Sequence, residues 1–410
     1  MRSWAQAPVA TDGSYASVSA TPRPYAPWHE HIGDDVREAL GLPNLATVPS
    51  EVVDVVVIGA GVAGLSAACA ARAAGAGVLV LEGQSQIGLG ATGRNAGILS
   101  AGINMGLADL DPGEPDARMF PATTRLLRDL AEETKRPGAL VAATLTGALT
   151  LAETRSAARH LDREARARRA AGLRAELWSA AEVAEATGGR LDARSVVEAL
   201  WLPDEGRLQP LTLLAHLAAQ ARRAGVHFAG NAPVAEWVET KGRQVGRHWR
   251  VKLASGAAIA TRGLILATGP TTRPSARIYA LTFAIDLPAS FPLFWDAAPY
   301  TYADYRPGGG FLVVSGGRYG RAGATKRDVI YHTRLAAGTR HWLPELAARE
   351  PTHAWAVDLA VDADMRPRLS AIGERAPGLS VEGLGALGVL PGMLLGREAG
   401  ERVARRLGGS

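Results

Sequence analysis

Arg94 and Asn95 stand inside a loop, GLGATGRNAGILSAG (88–102), built almost entirely of residues with little or no side chain. Glycines at 88, 90, 93, 97 and 102 let a backbone approach a partner closely. Arg and Asn then offer hydrogen-bond donors of fixed geometry to whatever lies against that backbone. This composition suits the cradling of a large, flat, phosphate-bearing ligand. A second glycine cluster lies upstream in GAGVAG, which is Gly59, Ala60, Gly61, Val62, Ala63 and Gly64. Gly59 permits a tight turn, Gly61 lets a pyrophosphate reach the backbone at a helix N-terminus, and Gly64 allows helix and strand to pack closely. Glu82 follows Gly59 by 23 residues, at the end of the next apolar run. A carboxylate there accepts from adenosine ribose hydroxyls and favours an unphosphorylated ribose, hence FAD or NAD over NADP.

The elements that must position these groups are legible around them. VVDVVVIG (52–59) is a continuous β-branched run, expected of a strand buried on both faces of a parallel sheet. AGLSAACAARAAG reads as a helix and GVLVLE as a second strand, closing a βαβ unit. Residues 117–134, 153–172 and 208–225 read as helices, and SAAEVAEATGG starts at a Ser N-cap and stops at Gly. WRVKLASGAAIATRGLILATG carries a Ser-Gly hairpin signal and ends in Ala267, Thr268 and Gly269. Residues 276–361 read as strands with Pro, Gly and aromatic punctuation, and GREAGERVARRLGG as a closing helix. Residues 1–50 lack periodicity and read as an extended arm, with one short helix around DDVREALG and a solvated HEH at 29–31. The buried strand LILATG (264–269) comes long after the first strand. An NAD domain is normally built from consecutive βα units, whereas this sheet reads as interrupted and resumed.

Composition narrows the function classes. The 410 residues, 47% hydrophobic and 21% charged, are those of a globular chain of about two to three domains. The single cysteine, Cys69, excludes an internal disulfide and a Cys-cluster metal site, and the nine histidines show no metal-binding spacing, so no metal is expected. A net charge of +5 comes from arginines scattered among acids, and the densest run, REARARRAAGLR (163–174), reads as one solvated helix face. No nucleic-acid partner is expected. The N-terminus has no apolar signal region and no 18-residue apolar segment offers a membrane span, so a cytoplasmic protein is the expectation.

VVVIGAGVAGLSAA, VLVLEGQSQIGLGATGRNAG, LPDEGRLQPLTLLAHLAAQARRAGVHF, LILATG and GLGALGVLPGMLLGREAG together resemble the FAD-dependent D-amino-acid oxidase / amine oxidase superfamily over about 50–408. Within it the chain looks most like the γ-glutamylputrescine oxidase branch, in SYASVSATPRPYAP and in ADYRPGGGFLVVSGGRYG (303–320). The resemblance implies an α/β fold: a discontinuous Rossmann-like FAD-binding domain (51–110, 200–275 and 365–408) and a mixed-sheet substrate-binding domain (111–199 and 276–364), after the arm 1–50. It implies that FAD is held by Gly59, Gly61, Val62, Ala63, Gly64, Glu82 and Gly83. The family loop (S/T)GRN(G/A)G, which runs beneath the flavin, is matched by Thr92, Arg94, Asn95, Ala96 and Gly97, with Ala91 adding close backbone approach. Adenine is expected near the backbone of Val234, the ribityl chain near Gly269, and the pyrimidine edge near Gly388 and Val389, with Ala267 and Thr268 also expected to bind the cofactor. The implied reaction removes a hydride from the carbon beside an unprotonated amine nitrogen, giving an imine that hydrolyses. The expected partners are a small-molecule amine and oxygen or another electron acceptor.

Three departures shape the substrate expectation. Amino-acid-oxidising relatives keep an Arg where this chain has Leu359, beside Asp358, and a buried carboxylate without a partner is costly. Leu387 stands where the amine oxidase branch commonly has the His of Gly-His-Gly. Relatives that attach FAD covalently use a C-terminal Cys, which is absent, so FAD is expected to be noncovalent and Cys69 to be a packed core residue. The substrate-pocket candidates are Tyr302, Tyr305 and Arg306, with Tyr300 nearby, and Asp358 as an attractor of ammonium. His353 and Trp355 read as core or rim. An α-amino-acid or glycine oxidase is the alternative if Arg306 or Arg318 reaches the substrate; a catalytically altered FAD-binding tailoring protein is another. A flavin monooxygenase would carry a later Gly-Asp-Ala motif, which is not found.

Overall fold

The computed structural model describes residues 22–45, 49, 51–242, 246–269, 274–297, 300–361 and 364–408. In the first sheet β1 (Val53–Ile58) is central, flanked by β2 (Val78–Leu81) and by the later β12 (Ala258–Leu266), both parallel to it. Val55 and Val57 face a helical layer, while Val56 and Ile58 face a second core, so the strand is buried on both sides. This is why its sequence is apolar without alternation. β9 (His227–Ala229) extends the sheet beyond β2. On the other side, the first half of β12 pairs with β11 (Gly246–Leu253) of the hairpin begun by β10 (Val234–Gly242). Its second half pairs with β19 (Gly378–Glu382), which carries β18 (Arg368–Ala371).

The helical layer comprises α2 (Val62–Ala73), α7 (Pro210–Arg223) and α9 (Val389–Gly408), with α1 (Asp34–Leu40) packed on α7. Residues 22–45 are therefore not a loose arm. Trp28 and Leu40 are buried, and the Trp28 indole donates to Asn95 O at 2.8 Å. His31 lies against Phe311, so HEH is not simply solvated. Residues 1–21, including most of SYASVSATPRPYAP, lie outside the described residues.

The second sheet runs in the order β17 (His353–Leu359), β13 (Ala276–Ala284), β16 (Phe311–Arg321), β15 (Thr301–Arg306), β14 (Leu293–Asp296), β5 (Ala148–Ala152), β7 (Glu198–Leu202) and β6 (Glu176–Trp178). All its pairs are antiparallel except β14 with β5. A small third sheet, β3 (Ile98–Leu99), β8 (Gly206–Leu208) and β4 (Ala143–Leu145), joins the two. α3 (Ala91–Arg94), α5 (Arg155–Ala170) and α6 (Ala180–Ala186) fall where the sequence pattern puts the flavin loop and two helices, and α6 opens with a Ser179/Glu182 capping box.

Three placements differ from the expectation. α8 (Asp328–Trp342) occupies a stretch that reads as strand, because its β-branched and aromatic residues mask a helical stripe of Leu335, Ala336, Thr339 and Trp342. α4 (Met119–Thr134), expected with the substrate domain, inserts Leu126, Leu127 and Leu130 into the core of the first sheet's helical layer. β7 crosses the division drawn at residue 200 and belongs wholly to the second sheet.

Candidate active site

The GAGVAG turn leaves β1 through Gly59, whose φ of +102° is closed to most side chains. Its N–H donates to Leu81 O at 2.8 Å, fastening the turn to β2. A Cβ on Gly64 would lie 1.9 Å from Gly59 O, so only glycine lets α2 sit this close to the strand end. Gly61 caps α2. The Glu82 carboxylate accepts from Ala60 N at 2.8 Å and from Gln84 N at 3.1 Å, which holds it at the edge of the turn. A glycine cradle, an uncharged helix N-terminus and a fixed carboxylate match the donor and acceptor set of an adenine dinucleotide with a free ribose diol.

The flavin loop spends its polar groups differently from the sequence expectation. Asn95 donates from Nδ2 to Thr92 O at 2.5 Å and accepts from Gly97 N at 2.6 Å, so its amide ties the loop to itself. Arg94 donates from Nη2 to Ala356 O at 2.5 Å, and Trp355 Nε1 returns a bond to Arg94 O at 2.8 Å. The pair clamps the loop to β17 of the second sheet. Burial, with Arg277 nearby, holds the Arg94 guanidinium below its ordinary value. Thr92 Oγ1 accepts from Val62 N at 3.4 Å, linking the loop to the first turn of α2.

A cavity of about 1960 Å³ lies between the two sheets. It exceeds the roughly 300–1,000 Å³ of ordinary ligand pockets, leaving space for a cofactor and a second molecule. Gly61, Val62, Ala63, Ala91, Thr92, Arg94, Asn95, Ala96, Ala267, Thr268, Gly269, Gly388 and Val389 line it. Gly59, Gly64, Glu82, Gly83, Gly97 and Val234 do not; they support the wall or lie beyond it. Leu387 and Leu359 line it too.

Of the substrate candidates, the cavity gathers Tyr300 and Tyr302 and leaves out Tyr305, Arg306 and Asp358. Tyr305 points into the other core and donates to Asp286 Oδ1 at 3.1 Å. Arg306 turns toward the flavin loop's outer side, donating to Leu208 O at 2.7 Å and Ala96 O at 2.8 Å. It pairs with the fully buried Asp304 at 2.8 Å, which Arg207 meets at 3.2 Å. Burial opposes both charges, pushing the Asp304 carboxyl up and the Arg306 guanidinium down to about 10. Asp358 pairs with Arg277 at 2.9 Å. Side chains alternate along a strand, and it is Trp355, Val357 and Leu359 of β17 that face the cavity.

Two groups escaped the sequence reading. Asn104 Oδ1 accepts from the N–H groups of Ala386 and Leu387, both at 3.0 Å, and its Nδ2 donates to Leu384 O at 3.1 Å, so it sets the loop before α9. Nothing in the local sequence marks that long-range contact. A buried network also lies under the substrate side. Glu205 accepts from Ala101 N at 2.8 Å and meets Arg168 at 3.1 Å; Arg168 also pairs with Glu164 at 2.7 Å. Burial pushes the Glu205 carboxyl up to about 7 despite Arg168. Tyr300 has a φ of +68°, strain that a non-glycine residue rarely bears, and it sits at the cavity.

The fold and the cradle define a dinucleotide-binding α/β protein whose cavity extends from the glycine turn to a second sheet. Residues 54–402 match the FAD dependent oxidoreductase (DAO) family, and the chain belongs to it. FAD is therefore its cofactor, and its activity is that of an FAD-dependent oxidoreductase. Among solved structures it is similar to glycine oxidase from Geobacillus kaustophilus, with a TM-score of 0.69 at 19% identity, covering 88% of this chain and 96% of that one. It is similar to L-proline dehydrogenase from P. horikoshii, with a TM-score of 0.68 at 19% identity over 87% and 93%. It is similar to L-amino acid deaminase from Proteus vulgaris, with a TM-score of 0.71 at 14% identity over 90% and 96%. A comparison with curated proteins finds none that matches. No described helix is long and apolar enough to cross a membrane.

Proposed function

We propose that this protein oxidises a C–N bond of an amine to an imine, with oxygen as the electron acceptor. The observation that supports it is the continuity of the cavity, from Gly61 and Thr92 at the dinucleotide cradle to Tyr302 and Trp295 under the second sheet. Bound FAD supplies the hydride acceptor. The chain's own residues place the amine and keep it neutral. Glu164, which lines the cavity, is already bound by Arg168 and by Ala108 N at 2.8 Å. In such surroundings desolvation favours the uncharged amine, the form that releases hydride without a side-chain base. Burial pushes the Tyr302 phenol well up, so it stays a hydrogen-bond donor toward the substrate. The imine leaves and hydrolyses in water.

Noncovalent attachment of FAD fits Cys69, which does not line the cavity and whose thiol burial pushes up to about 11. We place the chain near the γ-glutamylputrescine oxidase branch on its residue resemblances, and in the cytoplasm. Arg318 lines the cavity and supports a second reading, α-amino-acid oxidation. Anaerobic mixing of the flavin-loaded protein with primary and secondary amines, glycine, sarcosine and D-alanine tests both. Amines should bleach the flavin fastest, and admitted oxygen should restore the colour with release of peroxide. Faster bleaching by the amino acids would install the second reading, and an unbleached flavin throughout would sink both.

A further inference from the structure

One cross-strand row of the second sheet roofs the cavity. Trp355 of β17 opposes Ala280 of β13, which opposes Ser315 of β16; Ser315 opposes Tyr302 of β15, Tyr302 opposes Trp295 of β14, and Trp295 opposes Thr150 of β5. Opposed residues on a ladder share a face, and all six line the cavity. Their sizes are uneven. Ala280 and Ser315 make a low floor. Trp355 stands on one side; on the other stands Tyr302, its ring centroid 5.2 Å from that of Trp295. Three strand steps separate Trp355 from Tyr302, about 14 Å at the usual spacing of roughly 4.8 Å. A ring over the floor would lie about 7 Å from each wall, at the outer edge of the roughly 4.5–7 Å over which ring pairs attract.

The choice of aromatic residues is specific. Five of the eight tyrosines line the cavity (Tyr279, Tyr300, Tyr302, Tyr319 and Tyr331), and none of the six phenylalanines does. The core beyond the sheet uses Phe283, Phe291 and Phe294 instead. Tyrosine offers a ring face together with a hydroxyl. The Tyr302 hydroxyl has no hydrogen-bond partner among the described residues, whereas Ser315 Oγ is turned away to Tyr279 O at 3.2 Å. The carboxylates that line the cavity give a second ammonium little to meet. Glu164 is held by Arg168, Glu382 accepts from Ser370 at 2.8 Å, and Asp109 is exposed to solvent. Of these carboxylates only Asp109 would be left for a polyamine's far end, and there solvent competes for it. Trp355 is fastened to the flavin loop through Arg94 O, so one wall is fixed relative to the reacting end.

We propose that the substrate amine carries an aromatic ring, seated over Ala280 and Ser315 between Trp355 and Tyr302. This assignment rests on the amine-oxidising reading of the same site. Two measurements on the flavin-loaded protein test it. Anaerobic flavin reduction by tryptamine and 2-phenylethylamine should be at least about tenfold more efficient than by butylamine or putrescine. Indole, which has no amine to oxidise, should perturb the oxidised flavin spectrum, and Ala280→Phe and Tyr302→Ala should each weaken that binding about tenfold or more. The flavin-to-protein ratio of each variant reports folding independently. Equal or better reduction by butylamine or putrescine overturns the proposal, as does indole binding unchanged in both folded variants. If indole binds as expected but no amine bleaches the flavin, the trough stands and the amine-oxidising reading fails.

Discussion

At the glycine-turn end of the cavity the motif works mainly through backbone atoms; at the second-sheet end the wall is built of side chains. Gly59, Gly61 and Gly64 lie within six residues, and each acts by what it lacks: a Cβ on Gly64 would strike Gly59 O at 1.9 Å. The opposite wall draws Thr150, Ala280, Trp295, Tyr302, Ser315 and Trp355 from six strands into one row. A backbone cradle can be specified by a short contiguous motif, since its geometry follows from local turns and a helix start. A side-chain wall depends on strand order and register, and a one-residue slip would turn every member to the other face. The buried ions at Arg207, Asp304 and Arg306 join the two ends, because Arg306 hydrogen-bonds the carbonyl of Ala96 behind the flavin loop.

The contrast can be broken hardest at that joint. Asp304→Ala would leave two buried guanidinium groups without their counter-ion, a loss of about 3–5 kcal/mol. Urea unfolding should show it, with flavin content falling in parallel. An unfolding midpoint equal to wild type would mean that Asp304 does not hold the two ends together.

Glu82→Ala addresses the dinucleotide end alone. Loss of charge-assisted bonds to ribose, worth about 1.5–3 kcal/mol, should raise the FAD dissociation constant about ten- to a hundredfold. The order of preference among amines should stay the same. A changed order would show that the two ends are not separable.

Asp358→Asn should do least. Its side chain is about one-third exposed and it shares Arg277 with Asp328, 2.7 Å away. Such a pair contributes under about 1 kcal/mol. Because Asp358 faces away from the cavity, the KM for the preferred amine should not change. A clear rise in KM would return Asp358 to the substrate site.

By itself the sequence determined the βαβ unit, the glycine turn at its strand end, the discontinuity of the first sheet and the family. All of these rest on local periodicity or on glycines at fixed spacing, which a turn and a helix N-terminus impose wherever they occur. Arg94 and Asn95 were found as a motif, but their use as clamps was not, since the acceptors of Arg94 and Trp355 lie some 260 residues apart in the chain. Tertiary structure also decided that Leu359 faces the cavity and Asp358 does not, and that Arg306 bonds the loop from outside the cavity. Two adjacent residues on a strand point to opposite faces, and which face meets the cavity is settled only when β17 takes its place at the sheet edge beside β13. The wall follows the same rule: six residues on six different strands became one surface because the ladder between them put them in register.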